Sequence, residues 1–111
     1  MRIGKELIKG GAALAVLQVI SEEETYGYEI IKKLAARSEN VFRLSEGTLY
    51  PILHAMVKEG YLETFEKASP TRRERRYYRI TALGETHLAL LTSEWKLFSR
   101  GVEGVLAGEK S

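Results

Sequence analysis

Cysteine is absent from the 111 residues. That excludes disulfides, cysteine-ligated zinc, iron–sulfur clusters and thiol catalysis. Proline occurs only twice, so long helices can run with little of the interruption that proline imposes. Histidine also occurs only twice, as His54 and His87. Two isolated histidines without carboxylates at ligand spacing do not make a metal site, and none is expected. Long apolar runs are missing too. The longest covers residues 10–17 and resumes after Gln18 with Val19 and Ile20, too short to span a bilayer. It lacks the small-residue cleavage site of a signal peptide, so the expectation is a cytoplasmic chain with no membrane partner. Paired carboxylates, a nucleophile motif and a glycine-rich phosphate loop are likewise missing, which argues against an enzyme and against a bound cofactor.

What is present suits one compact domain with at most an appended helix. Hydrophobic residues make up 44% and charged residues 29%, ordinary for a soluble globular chain and against disorder. The net charge is only +2, but its distribution is uneven. Residues 67–79 read KASPTRRERRYYR, with Lys67, Arg72, Arg73, Arg75, Arg76 and Arg79 against the single Glu74. That window carries +5 on a remainder of −3. A local basic cluster on a mildly acidic body is the footprint of contact with nucleic acid or another anionic surface. A membrane surface fits less well, because the cluster has no apolar partner face at helical period. The plain alternative is a solvated hairpin face.

Periodicity divides the chain into three helices, a hairpin and one long helix. The spacing predicts a first helix over residues 5–20, with Leu7, Leu14, Val16, Leu17 and Ile20 as its apolar stripe and Gly10 and Gly11 as weak points. A charged connector, residues 21–24, follows. Thr25 reads as the N-cap of a second helix that turns Ile30, Ile31 and Leu34 inward and Lys32, Lys33 and Arg37 outward. Residues 38–43 read as a loop. Ser45 is the N-cap candidate of a third helix and Gly60 its C′ glycine, with Leu49, Ile52, Leu53, Met56 and Val57 at spacings of three and four. Pro51 conflicts with that helix, so either it starts later or its first turn is distorted. Residues 61–66 and 75–80 form the strands of the hairpin, with Tyr78 and Ile80 on one face and Tyr77 and Arg79 on the other. Thr81 caps the last helix, which runs to about residue 107. Its residues Leu88, Leu91, Trp95, Phe98, Val102 and Val105 follow a heptad stripe, and Leu83, Leu90, Leu97 and Leu106 add a second apolar margin. A small three-helix core cannot bury both, so a two-fold dimer is expected, with Leu88, Leu91, Trp95, Phe98 and Val102 at its interface. The alternative is that Trp95 and Phe98 fold back on their own domain.

The predicted fold class is therefore mainly α with a small β-hairpin: a winged helix-turn-helix over residues 1–80, a dimerisation helix over residues 81–107 and a tail of residues 108–111. A helix fits the DNA major groove, and its N-terminal turn would meet base edges and phosphates. Ser45, Gly47, Thr48, Tyr50 and His54 are the candidate DNA contacts on the third helix, and Lys67, Arg72, Arg73 and Arg75 those on the wing. Each has a plainer role available: Ser45 as a cap alone, Tyr50 as packing against the hairpin, His54 as an unpartnered surface residue. Glu46 would repel phosphate and suits the helix dipole or a cytosine amine. Two Trp95 indoles near a two-fold axis could wall an apolar slot for a flat ligand, or simply pack the dimer. A winged-helix adaptor that binds protein rather than DNA is the competing function, since fold alone does not decide.

Four segments resemble the PadR family of bacterial transcriptional regulators: Tyr26-Gly27-Tyr28-Glu29-Ile30, Glu46-Gly47-Thr48-Leu49-Tyr50-Pro51-Ile52-Leu53, Glu59-Gly60-Tyr61-Leu62 and Arg76-Tyr77-Tyr78-Arg79-Ile80-Thr81-Ala82-Leu83-Gly84. The resemblance covers about residues 5–95, and the single C-terminal helix is similar to the short subclass. It implies a homodimeric winged-helix repressor that binds a two-fold operator on double-stranded DNA and is released by a small aromatic or drug-like effector. By position it makes residues 45–54 the DNA reader, the hairpin the wing and the last helix the dimerisation element, and it accounts for Pro51. The chain departs at Ser69-Pro70-Thr71-Arg72-Arg73-Glu74, where members often carry a Gly-Pro-Pro stretch, and at Glu85, where a basic residue is common.

Overall fold

In the computed structural model, which describes residues 3–108, seven elements follow in the order α1 (Lys5–Glu22), β1 (Thr25–Tyr26), α2 (Gly27–Arg37), α3 (Glu46–Lys58), β2 (Leu62–Ala68), β3 (Glu74–Ile80) and α4 (Ala82–Ala107). The core forms where the apolar faces of these elements meet: Val16, Leu17 and Ile20 from α1, Ile30 from α2, Leu49 and Leu53 from α3 and Tyr78 from β3. The expected tail beyond Gly108 lies outside the described residues.

α1 buries only its C-terminal two thirds, beginning at Ala12. Leu7, placed on its apolar stripe by periodicity, is 60% exposed, and from the first two turns Ile8 alone packs at the core. Among the described residues nothing covers Leu7 at the start of α1.

Thr25 is not a helix cap. Thr25 and Tyr26 form β1, paired antiparallel with Tyr78 and Tyr77 of β3. Tyr26 keeps extended dihedrals (φ −125°, ψ 167°) and occupies the cap position of α2 without a side-chain bond. Both residues are buried, so their main-chain groups need partners, and the free edge of β3 supplies them. The hairpin is thereby a three-stranded sheet in the order β1-β3-β2.

β2 and β3 run two residues further toward the tip and one residue earlier, respectively, than the periodicity indicated, with Leu62 opposite Ile80, Phe65 opposite Tyr77, Lys67 opposite Arg75 and Ala68 opposite Glu74. Alternation puts Leu62, Tyr78 and Ile80 on the core face. Glu63, Phe65, Lys67, Arg75, Tyr77 and Arg79 fall on the other. Tyr77 is only 5% exposed on that outer face, because Tyr26 and Phe65 crowd its ring at centroid distances of 5.1 and 5.8 Å.

α3 starts at the expected cap. The Ser45 hydroxyl accepts from the Thr48 amide at 3.3 Å. Pro51 sits inside the helix without ending it. The bond it cannot donate would have gone to the Gly47 carbonyl, four residues back in an exposed first turn that is open to water. Gly60 ends the run with φ +85°, the left-handed conformation that glycine adopts most readily.

Thr81 caps α4 by accepting from the Gly84 amide at 3.0 Å, and its hydroxyl donates to the Gly60 carbonyl at 2.6 Å. Leu88 and Leu91 pack on the core. Beyond them α4 projects from the body, giving the chain extents of 57 × 32 × 20 Å. Trp95 and Phe98 do not fold back. Their rings lean on each other at 6.1 Å, and they remain 45% and 59% exposed.

Candidate nucleic-acid interface

The first turn of α3 presents Ser45, Glu46, Gly47 and Thr48 to solvent. Its unpaired amides and positive dipole end favour an anion there. Ser45 both caps and stays exposed, and its hydroxyl lies 3.3 Å from Thr48 Oγ1. His54 is exposed, two turns along the face that carries Gly47.

Tyr50 is placed differently. It is half-buried and packs at the margin of the core. Its hydroxyl stands against the start of α2, so close that a Cβ on Gly27 would lie 2.5 Å from it. A side chain at Gly27 would force the Tyr50 ring to shift, so the ring packs closely at the α2–α3 junction. Burial also pushes the phenol of neighbouring Tyr78 up, with Tyr50 as a secondary cause, so Tyr78 stays neutral.

The wing tip is a tight turn. The Ser69 amide donates to the Arg73 carbonyl at 2.8 Å and the Arg72 amide to the Ser69 carbonyl at 2.7 Å. The Ser69 and Thr71 hydroxyls meet at 2.9 Å. Arg72 has φ +67°. Arg72 and Arg73 are exposed, and among the described residues neither is in an ion pair.

The remaining cations of the cluster are engaged. Lys67 Nζ donates to Glu24 at 2.8 Å and stands 4.7 Å from the Tyr77 centroid. Arg79 donates to Glu63 at 2.9 Å, approaches Glu24 at 3.6 Å and covers Phe65 at 4.6 Å. Arg76 is 3.8 Å from Glu66. Arg75 is half-buried with its guanidinium 5.3 Å from the Tyr26 centroid, and its buried Nε has no hydrogen-bond partner. The candidate contacts therefore separate into two free arginines at the tip and two pinned cations, Lys67 and Arg75, nearer its base. The Lys67 ammonium holds the Glu24 carboxyl below the ordinary carboxylate range, and Glu24 in turn raises Lys67.

Glu24 is not among the candidate contacts that the sequence nominates. Its one signal in the sequence is the run Glu22-Glu23-Glu24 just ahead of β1. On α4, Trp95, Lys96, Ser99 and Arg100 line an open depression on one side of the helix. Among the described residues no cluster of three metal-ligating side chains occurs, and no helix is long and apolar enough to cross a membrane.

Two helices joined by the connection over residues 38–45, the second with an exposed capped start, then a β-wing with a cationic tip: these features define a winged helix-turn-helix with one long helix appended. The sequence profile of the PadR-like family of transcriptional regulators matches residues 16–90. A PadR-like transcriptional regulator of Bacillus cereus is 37% identical and superposes with a TM-score of 0.82, covering 95% of this chain and 100% of that one. A transcriptional regulator from Clostridium thermocellum, 28% identical, also gives 0.82 over 92% of this chain and 96% of its own. The transcriptional regulator Rv3488 of Mycobacterium tuberculosis is 30% identical over 105 residues, which span 95% of this chain and 92% of that protein. The chain belongs to the PadR-like family of transcriptional regulators. These relatives are regulators, not enzymes, and membership implies regulation through DNA binding.

Proposed function

We propose that the chain acts as a homodimer on a two-fold operator in double-stranded DNA, as a repressor that a small aromatic or drug-like effector releases. The observation that carries the DNA contact is the pair of exposed guanidiniums at the wing tip, in no ion pair among the described residues, in a chain whose α3 also opens on an exposed, capped first turn. Ser45, Gly47, Thr48 and His54 read the site, and Arg72 and Arg73 hold the backbone. Tyr50 supports the reader from behind.

The dimer is supported by the apolar face of α4. Leu88 and Leu91, packed on the core, continue into Trp95, Phe98 and Val102, which stay exposed among the described residues. Exposed Leu7 at the bare start of α1 offers further surface for a second copy. Trp95, the single tryptophan, is the proposed wall of the effector slot. Titration of planar aromatic compounds against its fluorescence tests this; a varied panel that leaves the emission unchanged removes the slot.

DNA binding is tested by a salt series on a duplex from upstream of the chain's own coding sequence. A dimer that neutralises about eight phosphates gives log K against log salt with a slope near −7. Half-sites should lie about 10 bp apart, or a multiple of that. A flat salt response would instead favour the adaptor role.

A further inference from the structure

Three consecutive carboxylates lie at the end of α1, and each holds a different cation. Glu22 binds Arg37 through two bonds of 2.6 and 3.1 Å. Glu23 takes Lys33 at 3.3 Å. Glu24 reaches the wing, with Lys67 at 2.8 Å and Arg79 at 3.6 Å. The first two tie α1 to α2. The third ties the start of β1 to both wing strands.

The sheet order makes the Lys67 contact long in reach. Lys67 stands on β2 and Glu24 directly precedes β1, with β3 between those two strands. The lysine side chain therefore crosses β3, and it does so over the ring of Tyr77, with Nζ 4.7 Å from the centroid. That ring is itself wedged between Tyr26 of β1 and Phe65 of β2. One side chain thus spans all three strands, seated on an aromatic base and fastened at its far end.

We propose that Lys67 and Glu24 form a strap that sets the angle of the wing, so that Lys67 is a positioning residue and phosphate contact at the wing falls to Arg72 and Arg73. The proposal rests on the DNA-binding reading above. A strapped ammonium would have to leave both a carboxylate and a π face to meet a phosphate. Among the described residues the tip arginines have no such partners to leave. Lys67 is also two residues before Ser69, where the tip turn begins, so the strap fastens the last part of β2 before the free end.

The test compares wild type, Glu24→Gln, Lys67→Met and the double variant by fluorescence anisotropy on the upstream duplex at several salt concentrations, with thermal melts alongside. The strap predicts that each single variant binds about three- to ten-fold more weakly at a given salt, as expected for losing an exposed ion pair in both wings. It predicts an unchanged salt slope and a double variant little weaker than either single one. A phosphate contact by Lys67 predicts the opposite. Glu24→Gln would then free the ammonium and tighten binding, and Lys67→Met would make the dimer's slope shallower by about 2. Either result, or wild-type affinity in Glu24→Gln, overturns the strap. If the wild type binds no duplex even in dilute salt, it is the DNA-binding reading that fails. The strap then stands or falls on amide hydrogen exchange in residues 62–80, which must quicken in Glu24→Gln relative to wild type.

Discussion

Removal of the two tip guanidiniums in the double variant Arg72→Gly, Arg73→Ala should separate binding from folding. The choice of glycine follows from the backbone. Arg72 holds φ +67°, a region that costs a side-chain-bearing residue roughly 1–2 kcal/mol and glycine little. The turn itself is closed by main-chain bonds, from the Ser69 amide to the Arg73 carbonyl and from the Arg72 amide to the Ser69 carbonyl. Neither bond uses the deleted atoms, and neither guanidinium is in an ion pair among the described residues. Stability should therefore change by less than about 1 kcal/mol, with the glycine working toward a gain.

Binding should change in a different way. Two cations per chain are four per dimer, and each phosphate contact contributes about 0.9 to the slope of log K against log salt. The slope should fall from about −7 to between about −3 and −4. Over a four-fold rise in salt the wild type should lose about ten-thousand-fold in affinity and the variant only about a hundred-fold. Anisotropy of a labelled upstream duplex measures both curves, and thermal unfolding provides the control. A variant that keeps the wild-type slope while folding normally would show that the tip does not meet the DNA backbone, and the division of the cluster into free and pinned cations would lose its functional meaning.

Other perturbations address the supports of the reader. Ser45→Ala removes the acceptor of the Thr48 amide and should cost about 1 kcal/mol in urea unfolding at unchanged m, with Ser45→Gly costing only a few tenths. Gly27→Ala would put a Cβ 2.5 Å from the Tyr50 hydroxyl and should destabilise by about 1–3 kcal/mol. Adding Tyr50→Phe should recover most of that loss, and an additive double variant would refute the close approach. Hydrogen bonds from Arg37 to Glu22 and from Lys67 to Glu24 hold both carboxyls below their ordinary range. Their stabilisation is complete above the unfolded carboxylate pKa and is lost as pH falls through the lower folded values, so the melting temperature should hold from pH 7 to about 5 and decline below about 4. A decline equally steep in the Glu22→Gln, Glu24→Gln variant would assign the acid sensitivity to other groups.

The elements that local chemistry specifies were legible without coordinates. Ser45 and Gly60 bound α3 because capping involves only residues within a turn of the terminus. Thr81 and the heptad stripe of α4 are legible for the same reason. β1 was not, because two residues carry no period. Thr25 and Tyr26 are a strand only because Tyr77 and Tyr78 arrive opposite them from fifty residues further on. Leu7 was misplaced for a related reason. Periodicity reports which face a helix can bury, whereas burial needs a neighbour, and among the described residues Leu7 has none over it. Tyr50 carries a chemistry suited to phosphate, and the nearness of its hydroxyl to Gly27 is a tertiary fact that no local pattern reports.

The cationic cluster shows how far formal charge departs from available charge. Residues 67–79 count as +5, but Lys67, Arg76 and Arg79 each stand within ion-pair distance of a glutamate. Two of those glutamates, Glu63 and Glu66, are on β2 itself, and the third, Glu24, belongs to the acidic run that makes the rest of the chain negative. Paired charges cancel within a few ångströms, well inside the screening length of about 8 Å at physiological salt, and so add little to the field that a duplex would feel. What projects beyond the body is the charge of Arg72 and Arg73. On the proposed reading, the carboxylates beside the wing strands would confine the attraction to the tip and hold the strands that carry it. A wing made more basic at its root, by removal of Glu24 or Glu63, would gain formal charge while losing the ion pairs to Lys67 and Arg79 that the proposal holds to aim it.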